Sequence, residues 1–299
     1  MRVPAICGLT LLALMMVGCG GGSSAPQSSP LNGNWQVNMV QNYPAPQAQL
    51  VASGFLVQSS SGLAGSVQGP TVISSNQSHE CGGVGPLAGT VSGNNVTFSL
   101  NPGGTTFTFN GIISSDNTSM SGDYEAVGGA CFSGAGSTGT WTASLIPPVN
   151  GAFSGTLSNS SYMSALTGMS PPAPIAVSGT LTQSSNAGAS NATVTGTITA
   201  TGYPCFTTAS VSGTISGQSV YLDVFDYSGV QIGTIGLPGV QGVPGTPAIA
   251  AGGSSGTTLS GTGQAGLSLG AQGVAPCPAL IVNGTTFTTD LADVALTLK

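Results

Sequence analysis

The sequence predicts an all-β protein made of two tandem antiparallel meander domains, each a small barrel or a sandwich. Apolar and polar residues alternate with a period of two in many segments, as in strands with one buried and one exposed face. Turn sequences such as residues 92–95 (SGNN) separate these segments at hairpin spacing. No later segment has a sustained helical period, and 48 Gly and 19 Pro residues keep any helix short.

The N-terminal segment is apolar, follows Arg2, and ends in Met16-Val17-Gly18-Cys19. Its apolar run is too short to span a bilayer as a stable helix. The motif resembles the lipobox of bacterial lipoproteins. The resemblance implies that residues 1–18 are a signal peptide and that Cys19 becomes an acylated, palmitate-type N-terminus. Because Gly20 replaces the Asp of inner-membrane retention signals, the resemblance implies the outer membrane, on its periplasmic or surface face.

Residues 19–30 are rich in Gly and Ser and are predicted to be a flexible tether. The first domain is expected at 31–147, where Trp35, Val37 and Met39 form a buried face. The alternating residues Asn34, Gln36 and Asn38 are expected to form a wet face. The same pattern recurs at Val96/Phe98/Leu100, Met120/Gly122/Tyr124/Ala126 and Trp141/Ala143/Leu145.

The second domain, residues 151–299, is predicted to repeat the first after a boundary at 147–151. Setting Gly89 on Gly213 places Cys81 on Cys205 and aligns hairpin with hairpin. The second copy carries an insertion at 236–256. Its residues 236–247 read as collagen-like triplets and are expected to form an extended surface loop.

The opening Gly33-Asn34-Trp35 resembles the Gly-x-Trp first strand of lipocalin-like and avidin-like barrels. This resemblance covers one short motif and implies a small closed barrel. An up-and-down meander of about eight strands per copy agrees with that architecture, and a sandwich remains the alternative.

Four cysteines, two per copy, remain after the signal peptide and Cys19. Three pairings are possible, and the one that keeps each bridge within its repeat is Cys81 with Cys131 and Cys205 with Cys277. A metal site is not expected, because zinc needs about four Cys or His ligands and His79 is the sole histidine. No cofactor is predicted.

Charge is nearly absent from the chain. Lys+Arg is 2, at Arg2 and Lys299, against 8 Asp+Glu. Nucleic-acid binding is excluded, because it needs clustered basic residues to displace counterions from phosphates.

Catalytic residues are not predicted. His79 is expected to lie in a loop. The acid pairs Asp123/Glu125, Asp223/Asp226 and Asp290/Asp293 are expected to be solvated surface residues, the last flanking a turn before the final strand.

The predicted function is therefore a membrane-anchored, non-catalytic binding or structural module of the cell envelope. A small apolar ligand, a glycan or an envelope protein would meet the barrel interior or a Thr/Asn-rich strand face. The alternative is an envelope or extracellular polymer hydrolase that uses a carboxylate pair, with Asp290 and Asp293 as its candidates.

Overall fold

The computed structural model describes residues 30–43, 49–74, 77–80, 83–129, 136–184, 189–237, 261–268, 280–282, 285–287 and 289–298. The predicted signal peptide, most of the tether and most of the insertion lie outside these residues, as do Cys19, Cys81, Cys131 and Cys277. Within them the all-β prediction is confirmed, and the chain folds into two strand assemblies in tandem.

The first assembly is an antiparallel sheet of nine strands. The strands are β1 (Gly33–Tyr43), β2 (Gln49–Ser59), β3 (Gly62–Ser74), β4 (Gln77–Glu80), β5 (Val84–Ser92), β6 (Asn95–Leu100), β7 (Thr106–Ile113), β8 (Ser119–Val127) and β9 (Ser137–Ile146). Their order is β2-β1-β9-β8-β7-β6-β5-β3-β4, and β2 also pairs with β3. Eight strands therefore pair in a ring, called here the first barrel, and β4 pairs antiparallel with the end of β3.

The second assembly is a closed antiparallel barrel of eight strands, so that a barrel rather than a sandwich is present. Its elements are β10 (Gly151–Ser158), α1 (Ser161–Thr167), β11 (Ile175–Gln183), β12 (Ala192–Ala200), β13 (Thr208–Ser216), β14 (Ser219–Phe225), β15 (Gln231–Leu237), β16 (Gly261–Ser268), β17 (Leu280–Val282), β18 (Thr285–Phe287) and β19 (Thr289–Leu298). β10 to β16 and β19 form this second barrel in chain order, whereas β17 and β18 form a separate hairpin. β15 includes residues 236 and 237, with which the predicted insertion begins.

Both barrels are filled with side chains at the described positions. The first contains a stack of aromatic rings in which Phe98 lies 4.5 Å from Phe109 and Trp141 packs edge-on against both. The second is mainly aliphatic, with Leu157, Leu181 and Ile198 each no more than 1% exposed. An eight-stranded barrel is just wide enough for side chains to fill it. The described inward-facing side chains of both barrels are packed against one another. Binding of a ligand inside a barrel therefore stays a prediction.

Each barrel is closed at one end by the residues that precede its first strand. Leu31 is 1% exposed, its N–H donates to Gln58 Oε1 (3.0 Å), and the Gln58 N–H donates to Asn32 Oδ1 (2.7 Å). The second barrel repeats both bonds, from Val149 N–H to Gln183 Oε1 (2.9 Å) and from Gln183 N–H to Asn150 Oδ1 (2.7 Å). We call this arrangement the Asn–Gln clasp.

The first barrel packs its side against the clasp end of the second. Asn34 Nδ2 donates to Gly217 O (2.8 Å), and Gly217 N–H donates to Asn34 Oδ1 (2.7 Å). Gln218 N–H donates to Gln36 Oε1 (3.2 Å). Asn34 and Gln36 were predicted to lie on a wet face. That prediction is wrong, because the β13–β14 turn of the second barrel covers them and leaves them buried.

Candidate functional site

A cleft of about 400 Å³ lies at the junction of the two barrels. Its walls are the start of β1, part of β2, the end of β9, the linker at 147–150, and the end of β11. The apolar lining residues are Phe55, Leu56, Val57, Leu145, Ile146, Pro147 and Pro148, and the polar side chains are Asn32, Asn34, Asn150, Gln183 and Ser184. The cleft is thus mainly apolar with a few amide groups, which is the usual composition of a small-molecule site.

Phe55 forms the boundary between this cleft and the second barrel. It belongs to β2 of the first barrel, yet it is 5% exposed and packs within the hydrophobic core of the second. Its N–H donates to Ala189 O (3.1 Å) in the β11–β12 connection. The position of the cleft wall is therefore fixed by core packing.

The clasp amides in the cleft have a defined orientation. Asn150 Oδ1 and Gln183 Oε1 each accept a backbone N–H, so that the NH2 end of each amide faces the other way. The same holds for Asn32, which accepts from Gln58 N–H. Among the described residues, these three NH2 groups have no acceptor within hydrogen-bond distance.

Asp123 and Glu125 are exposed on β8, as predicted. Asp223 lies outward on β14, out of phase with the buried Leu222 and Val224, and accepts from Gln231 Nε2 (2.7 Å). These carboxylates are therefore solvated or partly solvated surface groups.

Asp226 departs from its prediction as a solvated surface acid. It is 7% exposed and closes the β14–β15 hairpin by accepting from Ser228 N–H (2.8 Å), Ser228 Oγ (2.7 Å) and Val230 N–H (2.9 Å). The Ser228 hydroxyl bond, followed by the backbone N–H bonds, lowers the pKa of this carboxyl below its usual range.

The prediction that Asp290 is a solvated surface residue is wrong. This acid is fully buried (0% exposed) within β19. Its Oδ2 accepts from Ser160 Oγ (2.8 Å) and Tyr203 OH (2.5 Å). Its Oδ1 accepts from Ser161 Oγ (3.0 Å) and Tyr162 N–H (3.0 Å). Four donors thus saturate a carboxylate that has no open surface, and the group holds the chain segments around it together.

Asp290 fixes α1 and the β12–β13 connection over the end of the second barrel opposite the clasp. Ser160 is the N-cap of α1, and its Oγ accepts from Met163 N–H (3.0 Å) while donating to Asp290. Burial, followed by the hydrogen bond to Asp290, raises the pKa of the Tyr203 hydroxyl far above its ordinary value. Burial and the Asp290 charge also raise the pKa of Tyr162. Tyr203 is therefore protonated and serves as a donor.

Asp293 does not join Asp290 in a shared site. Both acids lie inside β19 instead of flanking a turn, and the burial pattern of the strand places Asp290 on the inner face and Asp293 on the outer face. Asp293 accepts from Asn159 Nδ2 (2.7 Å) near the surface. The structure separates the pair that the hydrolase alternative requires.

The other predicted site residues give no catalytic group. His79 lies in strand β4 rather than in a loop. Cys205 is disulfide-bonded, and its pairing with Cys277 stays a prediction because Cys277 lies outside the described residues. Within the described part of the chain, no group of three or more His, Cys, Asp or Glu residues is placed to hold a metal ion.

The outer face of β11, β12 and β13 is covered by hydroxyl side chains. Thr180 and Thr197 are 3.3 Å apart at their Oγ1 atoms, and Thr199 and Thr208 are 3.5 Å apart. The remaining members of this hydroxyl face are Ser178, Thr182, Thr193, Thr195, Ser210, Ser212 and Thr214. Tyr221, 52% exposed, stands beside Thr214 at its border.

No described helix is both long enough and apolar enough to cross a membrane. No family model matches the chain, and no curated protein matches it. A solved structure that matches is the crystal structure of kievitone hydratase from Nectria haematococca, 8% identical over 91% of each chain with a TM-score of 0.22. A likeness at that TM-score carries no argument about this chain.

Sequence reasoning missed the cleft and the burial of Asp290. For Asp290 the signal was present, since counting back in twos from Leu298 through Val294 reaches Asp290 on the inner face. For the cleft, the signal was the Asn-Gly pair at the start of the first strand of each copy. This pair indicates the positions of the two clasps, but it does not indicate that one barrel packs against the other.

Proposed function

We propose that this chain is an exported lipoprotein, anchored through Cys19 to the outer membrane, that acts as a non-catalytic binding module of the cell envelope. The proposal that the protein is non-catalytic rests on the positions of its acidic side chains. In the described residues Asp290 is saturated by donors and closed to solvent, Asp226 is engaged in a hairpin, and Asp293 faces away from Asp290. General acid–base hydrolysis needs two carboxyls that face one cleft.

The lipid anchor is supported by the motif at residues 16–19 and by the charge of the chain. With Arg2 and Lys299 as its basic residues, the protein has no cluster that could hold it to anionic lipid headgroups. Acyl chains on Cys19 would supply membrane affinity without charge. A Gly/Ser-rich tether from Cys19 to the first described residue would have a mean reach of roughly 18 Å, enough to keep the barrels off the surface.

Labelling with radioactive palmitate tests the anchor. The full chain should take up label and sediment with membranes, and Cys19→Ala should lose the label. Cys7→Ala is the matched control, because Cys7 lies in the same apolar segment but outside the motif. Persistent labelling of Cys19→Ala, or no labelling of the parent chain, would contradict the anchor.

Turnover assays test the non-catalytic part. Neither the parent chain nor Asp293→Asn should release product from envelope or extracellular polymers. Asp293 is chosen because its partly exposed position lets the barrel tolerate the change. A measurable turnover that Asp293→Asn abolishes would establish the hydrolase alternative.

A second candidate function is the binding of a neutral glycan on the hydroxyl face. The observation that favours it is an uncharged Ser/Thr surface bordered by the exposed Tyr221, which combines hydroxyl groups with an aromatic ring. Affinity electrophoresis in gels containing neutral polysaccharides should then retard the chain. Tyr221→Ala should reverse the retardation, whereas Tyr227→Ala, at a fully solvated hairpin tyrosine, should not.

A further inference from the structure

We infer that the cleft between the barrels binds one small, uncharged molecule with an apolar body and a hydrogen-bond acceptor such as a carbonyl oxygen. This inference rests on the proposed binding function and supplies its site and its class of ligand.

The size of the cleft suits one small molecule. Its volume of about 400 Å³ falls within the range of roughly 300–1,000 Å³ that is usual for small-molecule sites. In the described parts of both barrels the interior is packed with buried side chains, whereas the cleft between the barrels has room for a ligand.

Both barrels and their linker contribute to the walls. Leu145 and Ile146 end the first barrel, Pro147 and Pro148 form the linker, and Phe55 is held by the core of the second barrel. These walls are preformed, because a proline pair and a buried aromatic ring have little conformational freedom to lose on binding. The apolar body of the ligand would lie against them.

The amides of Asn32, Asn150 and Gln183 select an acceptor. Their oxygens are engaged by backbone N–H groups of the two clasps. Each therefore offers its NH2 group, a donor without an acceptor function, to a molecule in the cleft. Asn32 and Asn150 are exposed and Gln183 is half-buried, so that water can satisfy these donors in the free protein. A carbonyl or ether oxygen would take the place of that water, whereas a ligand without an acceptor would bind through the apolar walls alone.

The absence of charge excludes ionic ligands. The residues that line the cleft carry no ionisable side chain, and the basic residues of the chain are Arg2 and Lys299 at its two ends. A carboxylate or phosphate would lose hydration in this apolar setting without gaining a counter-charge. The ligand is therefore an ester, ketone, amide or ether rather than an acid.

The test uses the full chain with Cys19→Ala, which removes the proposed acylation site and the need for detergent. The neutral dye N-phenyl-1-naphthylamine, whose fluorescence rises in apolar surroundings, should bind saturably with one dye per chain. Methyl decanoate should displace it at a concentration at least tenfold lower than decanoate needs.

Two matched pairs of variants locate the site. Ser184→Trp should fill the cleft and abolish dye binding, and Ser59→Trp is its control at the aligned position of the first barrel, outside the cleft. Gln183→Glu keeps the oxygen that Val149 N–H requires but removes the NH2 donor. It should weaken methyl decanoate roughly tenfold more than it weakens the dye, which has no carbonyl oxygen to lose a partner. Gln58→Glu, the same change outside the cleft, should alter neither.

Absent dye saturation, unchanged binding in Ser184→Trp, or equal affinity for ester and carboxylate would each overturn the inference. These outcomes are distinct from failure of the proposed lipid anchor, because palmitate labelling is read on the unsubstituted chain. Circular dichroism of each variant should show that the barrels are intact. A loss of binding can then be attributed to the change in the cleft rather than to unfolding.

Discussion

The Asp290 carboxyl group lies in a part of the second barrel that is closed to solvent. A buried carboxylate is tolerated only when hydrogen bonds replace its hydration, and here two serines, a tyrosine and a backbone N–H do so. The residue therefore stabilises the end of the second barrel only as long as the whole set of donors is present.

Asp290→Asn should destabilise the protein by about 2–4 kcal/mol, because the new NH2 group would meet hydrogen-bond donors where the carboxylate had accepted them. Urea unfolding gives this difference. Asp293→Asn, with its single exposed partner, is the matched control and should change stability by less than about 0.5 kcal/mol. Equal effects of the two substitutions would mean that the Asp290 network contributes nothing special.

Gly217 can be tested against Gly93, the residue that the repeat places in the equivalent turn. Both have positive φ values, 53° and 60°, so an alanine at either position would introduce the same backbone strain. A Cβ at Gly217 would also clash with Gln36 Oε1 and Ser53 Cβ of the first barrel, whereas a Cβ at Gly93 meets nothing within 4 Å. Gly217→Ala should lower the free energy of unfolding by about 1–2 kcal/mol more than Gly93→Ala. Equal losses would show that the packing between the barrels adapts freely.

Strands β13 and β14 approach closely at Gly213. A Cβ there would overlap the backbone carbonyl of Tyr221, and the aligned Gly89 would meet that of Thr97 in the first barrel. Glycines inside strands mark such approaches and let small barrels coil tightly.

Gly213→Ala should therefore destabilise the second barrel by about 2 kcal/mol or more, because a backbone carbonyl cannot move aside as a side chain can. Ser212→Ala, one residue earlier on the same strand, should be nearly neutral and serves as the control. Thermal unfolding followed by circular dichroism compares the two. A neutral Gly213→Ala would show that the strands separate easily.

The sequence was sufficient to predict the strands. It was not sufficient to predict which strand faces the other barrel would cover. The alternation at 96–100 and 120–126 placed Phe98 and Tyr124 inside correctly, because sheet geometry alone determines which face a strand residue joins. Asn34 and Gln36 follow the same alternation but are covered by the other barrel. A wet face and an interface built of amides have the same local sequence, so that only the packing of the two barrels distinguishes them.

The packing of the barrels should be visible in unfolding experiments. Trp35 and Trp141, the two tryptophans of the chain, both lie in the first barrel, so that their fluorescence reports that barrel, whereas circular dichroism reports both. Phe55→Ala should destabilise the second barrel by about 2–4 kcal/mol while the tryptophan transition moves less.

Leu56→Ala is the control for Phe55→Ala, since the neighbouring Leu56 belongs to the core of the first barrel and should move the tryptophan transition instead. If Phe55→Ala shifts the fluorescence and circular dichroism transitions equally, the core of the second barrel does not depend on Phe55 in the way described.

Stability should form a plateau from about pH 5 to about pH 9. Hydrogen bonds lower the carboxyl pKa of Asp116 and Asp226, so their contribution is present above the ordinary Asp value and is lost as the pH falls below it. Burial raises the pKa of Tyr124, Tyr162 and Tyr203, so their contribution is present below about pH 10 and is lost as the pH rises further. Urea unfolding across this range measures the profile, and Tyr203→Phe should flatten its alkaline side. A steep change between pH 5 and 8 would contradict the assignment.

In their hydrophobic cores, the two barrels depend on each other in one direction only. The described core of the first barrel contains residues of that barrel alone, whereas the core of the second includes Phe55 from the first. Because a chain emerges from its site of synthesis N-terminus first, the barrel that supplies Phe55 is available before the barrel that receives it. A circular permutant that begins at Gly151 would reverse this order. Its second barrel would be synthesised before Phe55, and the apolar end of that barrel would be exposed to aggregation until the first barrel followed.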